Sequence, residues 1–392
     1  MDSVSKGRVI SAALLISGCC VGVGMFAMPV ATYQAGFVGS LPTFFAVWLF
    51  ANLVSRLVVE ACLWCPKGAN LITISRVLLG TRGAVFCWIL YLFLFYCLMT
   101  AQIAGGGQVI AGFIYGGAWP DWISRTIYVL LLAPAIYFGA KCVARLNAFF
   151  MGGLVLAFLA LVALAADRVR LDLLARFDFG SAWNALPILL TAFGFQNLIP
   201  TLLEYLNRNA RLLNRAIWIG TTIPLIFYLV WQGLVLGIVP PEMLAQALAD
   251  GENAVMPLRA SLHRVGVRRI ANGFAFFAFA TTFISMGIAF TDFWADALSW
   301  KKNGMKRIWL LLLVFGLPFI AASVDPGIFF HALDLAGGVG VSLFIGLLPL
   351  FLVWSGRYIQ KLPRIPEGFP GGKLSLAALF LFTLFVIYRT FP

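Results

Sequence analysis

SGCCVGVGMFAMP, residues 17–29, sets three glycines and a proline inside an apolar run. Lys6, Arg8 and the segment VISAALLI precede it, so the surrounding chain is built to form a membrane helix. Glycine costs about 1 kcal/mol in a helix interior and proline about 3. Hydrocarbon offers no water to the backbone groups that a break sets free, so such a break belongs only where protein buries it or a cavity receives it.

Composition supports the membrane setting. The 392 residues are 62% hydrophobic and 11% charged, against roughly 25% charged in a soluble domain. The formal charge of +13 lies in short clusters between long apolar runs. It does not form the aromatic-interleaved patch that nucleic acid requires, and no nucleic-acid partner is expected. Spans need about 20 apolar residues. Eleven are expected, near 9–31, 37–63, 84–114, 124–140, 145–166, 184–207, 214–239, 270–298, 306–323, 329–355 and 374–391. The segment from Pro240 to Arg269 is long and charged enough to carry short helices of its own.

With the N-terminus inside, the inner segments hold eighteen Lys and Arg and the outer ones nine, with Arg56 inside a span. That bias places the N-terminus in the cytoplasm and the C-terminus in the periplasm. Arg264, Arg268 and Arg269, on the outer side at the start of span eight, run against it.

The seven cysteines lie in spans or at their inner ends and do not suggest a disulfide framework. CLWC, Cys62 to Cys65, has redox or zinc spacing, but with no second pair or histidine a structural role at the membrane edge is expected. ISGC, Ile16 to Cys19, matches a lipoprotein cleavage pattern. Cleavage there would destroy a span that continues past Cys19, so the stretch is read as a span.

A second interrupted span lies downstream. ALPILLTAFGFQNLIPTLLEYL, residues 185–206, is broken by FGFQN and Pro200. Spans one and six therefore correspond, five spans to a unit, and an odd number inverts the second unit. The expected units are 1–166 and 184–355, with an additional span at 374–391. Paired interrupted segments point to a transporter's central site. Helix N-termini there suit an anion, and C-terminal carbonyls a cation. Gly22 and Gly24 are expected to bring a substrate carboxylate to backbone N–H groups. The carbonyls around Ser17, Gly18, Phe193 and Gly194, with Cys19 and Cys20 alongside, are expected to take an ammonium. Small residues at this spacing also serve close helix packing.

GCCVGVGMFAMPVATYQAGF in span one, TAFGFQNLIPTLLEYL in span six and FTDFWADAL in span eight together resemble the bacterial aromatic amino acid permeases. Gly18, Gly22, Gly24, Met25 and Pro29 match that family's G-x-x-x-G-x-G-M-x-x-x-P opening. The resemblance covers about Gly7 to Tyr388. It implies membership of the amino acid–polyamine–organocation superfamily. The implied fold is an all-α polytopic membrane protein with a LeuT-like five-plus-five inverted repeat, discontinuous spans one and six, and an appended eleventh span. It further implies proton-driven import of tyrosine, tryptophan or phenylalanine across the bacterial inner membrane. Gln196 stands where several members carry histidine, and Gln102 where an aromatic residue is expected.

Ionisable groups inside spans are functional candidates by default. Arg56 and Glu60, one turn apart, are expected to pair, as are Glu204 and Arg208, which would form half of an inner gate. Asp292, which matches the family's aspartate, is the first candidate for proton coupling. Asp334, near His331 at the outer mouth of span ten, is the second; His263 falls in the outer loop. Asp296 is expected to be solvated or paired with Lys301 or Lys302. Thr281, Thr282 and Ser285 would be a sodium site if that ion drives transport, although hydroxyls in membrane helices often bond their own carbonyls. Phe193, Phe195, Met99 and Gln102 are expected around the substrate ring, with Gln102, Gln196 and Asn197 offering polar groups. Beyond the coupling ion no cofactor or metal is expected. No P-loop and no nucleophile–histidine pair is present, so an enzyme or a nucleotide-driven pump is not expected. A sodium-coupled or exchange-type permease for another neutral amino acid is the alternative within the same class, and a channel or sensor that of a different class. The partners expected are the substrate and the bilayer, with the protein a monomer.

Overall fold

A computed structural model describes residues 3–113, 120–262, 264–300, 303–325 and 327–391. His263, Lys301 and Lys302 lie outside the described residues, so their expected roles have no structural counterpart. The described chain is helical throughout, with no strand. Among the described residues nine helices are long and apolar enough to cross a membrane. The pair Lys6–Cys20 and Gly24–Ala31, bent by 55°, makes a tenth candidate. The expected fourth span is the helix Asp121–Phe138. At 18 residues it is about 27 Å long, but Asp121 and Arg125 occupy its first turns, and it falls short of the other spans in apolar character.

Both breaks fall where the sequence puts them. In span one, Ser3–Cys20 ends just before Gly22, and Gly24–Ala31 starts a new direction. In span six, Leu186–Ala192 stops at Phe193, and a short turn at Gln196–Leu198 leads into Ile199–Tyr205. The charged segment after span seven folds into two short helices, Pro241–Ala249 and Val255–Ser261.

Spans six and ten are the most enclosed, 72% and 83% buried. The eleventh, Lys373–Thr390, is 22% buried and faces lipid. It lies on span ten, where a Cβ on Gly346 would stand 2.6 Å from Thr383. Span ten is π-helical over Leu335–Leu347, and the Ser342 hydroxyl donates to Gly337 O five residues back. Spans four and five turn on a single residue, Gly139, whose φ of +95° is open to glycine.

Three local expectations change. Span three is a continuation of a helix that starts at Leu71, kinked at Gly80 (φ +74°), so the loop before it is helical. Glu60 does not pair with Arg56. Its carboxylate takes Arg357 Nε at 2.7 Å and Nη2 at 2.6 Å, and the Phe369 N–H at 2.9 Å. Glu60 is fully buried, and Arg357 also donates to the carbonyls of Phe369 and Gly371. The i,i+4 rule favours Arg56 locally, but a buried carboxylate is satisfied by whichever cation is desolvated with it, here from span ten. Asp292, expected to lie deeper than Asp296, is exposed as Asp296 is, because the inner ends of spans six and eight separate around a cavity.

The Glu204–Arg208 pair forms at 2.8 Å. Arg208 also donates to the carbonyls of Cys62, Leu63 and Cys65, and Glu204 accepts from Gly68 N–H. Every one of these partners belongs to span two, span six or the loop after span two, so the pair staples those elements together. All seven cysteines are free thiols, and the two of CLWC are buried in this staple.

Candidate functional site

Span seven joins the two breaks. The Tyr228 hydroxyl lies 2.6 Å from Cys20 O and 3.0 Å from Ala192 O, the last carbonyls of the first half-helices in spans one and six. Its single proton serves one carbonyl at a time, which leaves the other in need of a donor. Trp231, one turn further along, donates from Nε1 to Met25 O at 2.9 Å in the second half of span one. Phe193 packs edge-on against the Tyr228 ring at 5.4 Å. Sequence reasoning missed Tyr228. Its signal was a tyrosine near mid-span, away from the interface where tyrosines collect.

Beyond Cys20 the backbone opens a second set of groups. Met25 N–H and Phe26 N–H turn back to Gly22 O and Val23 O at 3.2 Å. No backbone acceptor reaches the N–H groups of Gly22, Val23 or Gly24 among the described residues. These are the orphan donors of a helix start, and all three residues are buried. A Cβ on Gly22 would stand 2.7 Å from Thr282 Cγ2, and one on Gly24 3.1 Å from Ala192 Cβ. Close packing and N–H groups without a backbone acceptor therefore coexist at these glycines.

Gln102 of span three completes the cluster. Its Nε2 donates to Thr282 Oγ1 at 2.6 Å, while its Oε1 is buried with no partner among the described residues. Gln196, at the break in span six, donates to Ala51 O at 3.4 Å, and its Oε1 is likewise buried and unpartnered. Buried acceptors of this kind cost about 1–3 kcal/mol each unless something donates to them.

The remaining expected residues sort by position. Gly22, Gly24, Cys20, Gln102, Thr282 and Phe193 are gathered by the contacts above. Met99 and Phe195 are fully buried, and Gly194 faces Ile345. Ser17 turns away, donating to Ala13 O and to Gly220 O of span seven, both at 2.9 Å. Gly18 faces Met151 of span five. Cys19 is exposed, and Ser285 is exposed beside Asn147 at 3.3 Å. Thr281 and Thr282 both donate to Ala278 O at 2.9 Å, while Ser285 of the same expected sodium set bonds Asn147. Asp334 sits in span ten. His331 pairs instead with Asp325, at 2.8 Å. This contact and the turn N–H of Gly327 hold the Asp325 carboxyl below its ordinary range.

A cavity of about 620 Å³ opens on the N-terminal side, bounded by Asn70, Tyr91, Asn197, Thr201, Asp292 and Asp296 among others. The opposite side is closed. Phe26 stacks on Phe279 at 5.1 Å and meets Phe274 at 5.4 Å and Trp231 at 5.7 Å, and all four rings are fully buried. The loop helices cap this plug. Ala254 N–H donates to Phe26 O at 2.9 Å, and Gln108 bonds Gly251 O and Asn253.

Comparison with known proteins agrees with this architecture. A crystal structure of MhsT in complex with L-phenylalanine superposes with a TM-score of 0.60 at 13% identity, covering 98% of this chain and 97% of that one. A crystal structure of the Eremococcus coleocola manganese transporter gives 0.62 at 12%, covering 100% and 87%. Both are LeuT-fold transporters, and the likeness establishes that fold here. The chain is 28% identical to a tryptophan-specific transport protein of Pseudomonas aeruginosa, over 90% of its own length and 87% of the relative's. It is 26% identical to tyrosine-specific transport system 1 of Haemophilus influenzae, over 98% and 96%. The sequence pattern of the tryptophan/tyrosine permeases matches residues 5–390, so this multi-pass membrane chain is a transport protein, not an enzyme, and belongs to the tryptophan/tyrosine permease family.

Proposed function

We propose that the protein is a monomeric secondary transporter that imports tyrosine, tryptophan or phenylalanine across the bacterial inner membrane by alternating access, coupled to protons. The observation that carries this reading is the meeting of both interrupted spans at Tyr228, between a cavity open on one side and an aromatic plug on the other. A zwitterion matches the two kinds of backbone group there. Its carboxylate meets the N–H groups of Gly22, Val23 and Gly24. Its ammonium meets whichever of the Cys20 and Ala192 carbonyls Tyr228 leaves free. The unpartnered oxygens of Gln102 and Gln196 accept from an indole N–H or a phenol, and Phe193 and Met99 wall the ring. The cavity on the N-terminal side, taken as cytoplasmic from the lysine and arginine bias, reaches the span-six break at Asn197 and is the route by which the site would open to that side. Rocking of spans one, two, six and seven against three, four, eight and nine would separate Phe26 from Phe279 and open the other face.

Gln196 does not ionise, so coupling falls to a carboxylate. Asp292, on the wall of the open cavity, is well placed to exchange with water. The test is uptake into proteoliposomes under imposed proton or sodium gradients. Wild type is expected to respond to the proton gradient. Asp292→Asn is expected to lose that response and still exchange labelled for unlabelled substrate. Sodium-driven uptake, or unchanged proton-driven uptake in the variant, refutes the coupling assignment.

A further inference from the structure

The arginines that run against the charge bias at the start of span eight meet another at the end of span five. Arg168 and Arg264 line one pocket of about 140 Å³, with Leu164, Ile238, Ser261, Leu262 and Val267. The pocket lies where spans five, seven and eight end on the side opposite the N-terminus. Its rim is open to the bilayer at Leu164, which is 43% exposed, while Ile238, Leu262 and Val267 form its buried wall. Arg268, one turn beyond Arg264, has a buried Nε with no acceptor among the described residues. The helix Val265–Ala297 adds its N-terminal dipole. The facing carboxylate is Asp167, 3.5 Å from Arg168 and itself half exposed; the neighbouring Asp172 is held by Arg170 at 2.6 Å. Positive charge therefore exceeds negative at a cleft whose other walls are aliphatic.

We infer that this cleft binds the headgroup of an anionic phospholipid from the leaflet opposite the N-terminus. The phosphodiester would lie between Arg168 and Arg264, with an acyl chain along Leu164, Ile238 and Val267. Guanidinium groups suit a phosphate's paired oxygens. A free anion would have no use for the aliphatic wall, and a zwitterionic lipid would bring its own cation against three arginines. This site lies outside the substrate pathway and does not rest on the transport reading.

The test is native mass spectrometry of the full chain in mild detergent, titrated with phosphatidylglycerol, with phosphatidylcholine of equal chain length, or with inorganic phosphate. Wild type is expected to hold one phosphatidylglycerol about tenfold more tightly than phosphatidylcholine, undisturbed by millimolar phosphate. Arg168→Gln with Arg264→Gln is expected to weaken phosphatidylglycerol about tenfold, to the level of phosphatidylcholine, and leave phosphatidylcholine unchanged. If the double variant fails to fold, Arg264→Gln alone is expected to lose about fivefold. Arg264→Lys, which keeps the charge, is expected to stay within about threefold of wild type. Equal affinity for the two lipids overturns the inference, as does retention unchanged in the glutamine variants. Displacement by inorganic phosphate overturns it in favour of a free-anion site.

Discussion

Gly22→Ala tests the packing of the first break against span eight. The backbone at Gly22 is not left-handed, so alanine meets no conformational penalty there. The obstacle is Thr282, whose Cγ2 would stand 2.7 Å from the new Cβ. Carbon atoms prefer about 3.5–4.0 Å, so roughly 1 Å must be recovered. Thr282 can yield only by rotating, and rotation breaks its bonds to Ala278 O and Gln102. The alternative is to push span one away from span eight. Overpacking of this kind costs about 1–3 kcal/mol, or roughly 5–150-fold in an equilibrium. Binding of labelled tryptophan or tyrosine to Gly22→Ala in detergent should weaken within that range, and uptake into proteoliposomes should fall with it. Thr282→Ser removes the methyl that obstructs and keeps the hydroxyl. The double variant Gly22→Ala, Thr282→Ser should therefore recover most of the loss, although Thr282→Ser alone gains nothing. Wild-type binding by Gly22→Ala would refute the contact. Failure of the serine to rescue would show that the loss arises elsewhere, in the N–H groups themselves.

Tyr228→Phe keeps the ring against Phe193 and removes the hydroxyl between Cys20 O and Ala192 O. Substrate KM should rise about tenfold, and the melting temperature should fall because a buried carbonyl loses its donor at about 1–3 kcal/mol; unchanged KM would show that the two carbonyls need no tether. Glu60→Gln leaves Arg357 buried without its counter-charge, which costs about 3–5 kcal/mol. A clear drop in melting temperature is expected, against no change if the Phe369 and Gly371 carbonyls alone satisfy Arg357. Burial first, then Asp250 and Asp121, raise the Glu252 carboxyl in the loop that caps the plug, with Arg259 opposing. The docked loop then binds more protons than the free loop between the two values, so docking strengthens as pH falls through that window. Hydrogen exchange across residues 240–262 should slow accordingly, and Glu252→Gln should abolish the slope; an unaltered slope in the variant assigns it to another group.

Local chemistry carried the outline of this molecule. Glycine and proline inside apolar runs marked both interrupted spans, because no other residues break a membrane helix so plainly. The resemblance in those same stretches fixed the fold. What depended on distant partners was not legible. Arg56 is one turn from Glu60, yet Arg357, 297 residues away, takes the carboxylate. Ser17 and Ser285 lie in the right spans but on the wrong faces, because which side of a helix meets the break is set by packing between helices. The exposure of Asp292 was not legible either, because a cavity's opening belongs to a conformation of the whole chain. Tyr228 was invisible for a related reason: its role exists only once span seven lies between two breaks some 170 residues apart.

The central claim is that the paired breaks form one site for an aromatic amino acid that both faces reach in turn. Counterflow measures this directly. Proteoliposomes are loaded with unlabelled tyrosine or tryptophan, diluted into trace labelled substrate, and challenged from outside with phenylalanine, leucine or alanine. Transient accumulation of label, dependent on the internal load and abolished by aromatic competitors but not by leucine or alanine, is the predicted result. Label that merely equilibrates regardless of the load, or accumulation abolished equally by alanine, would contradict the account.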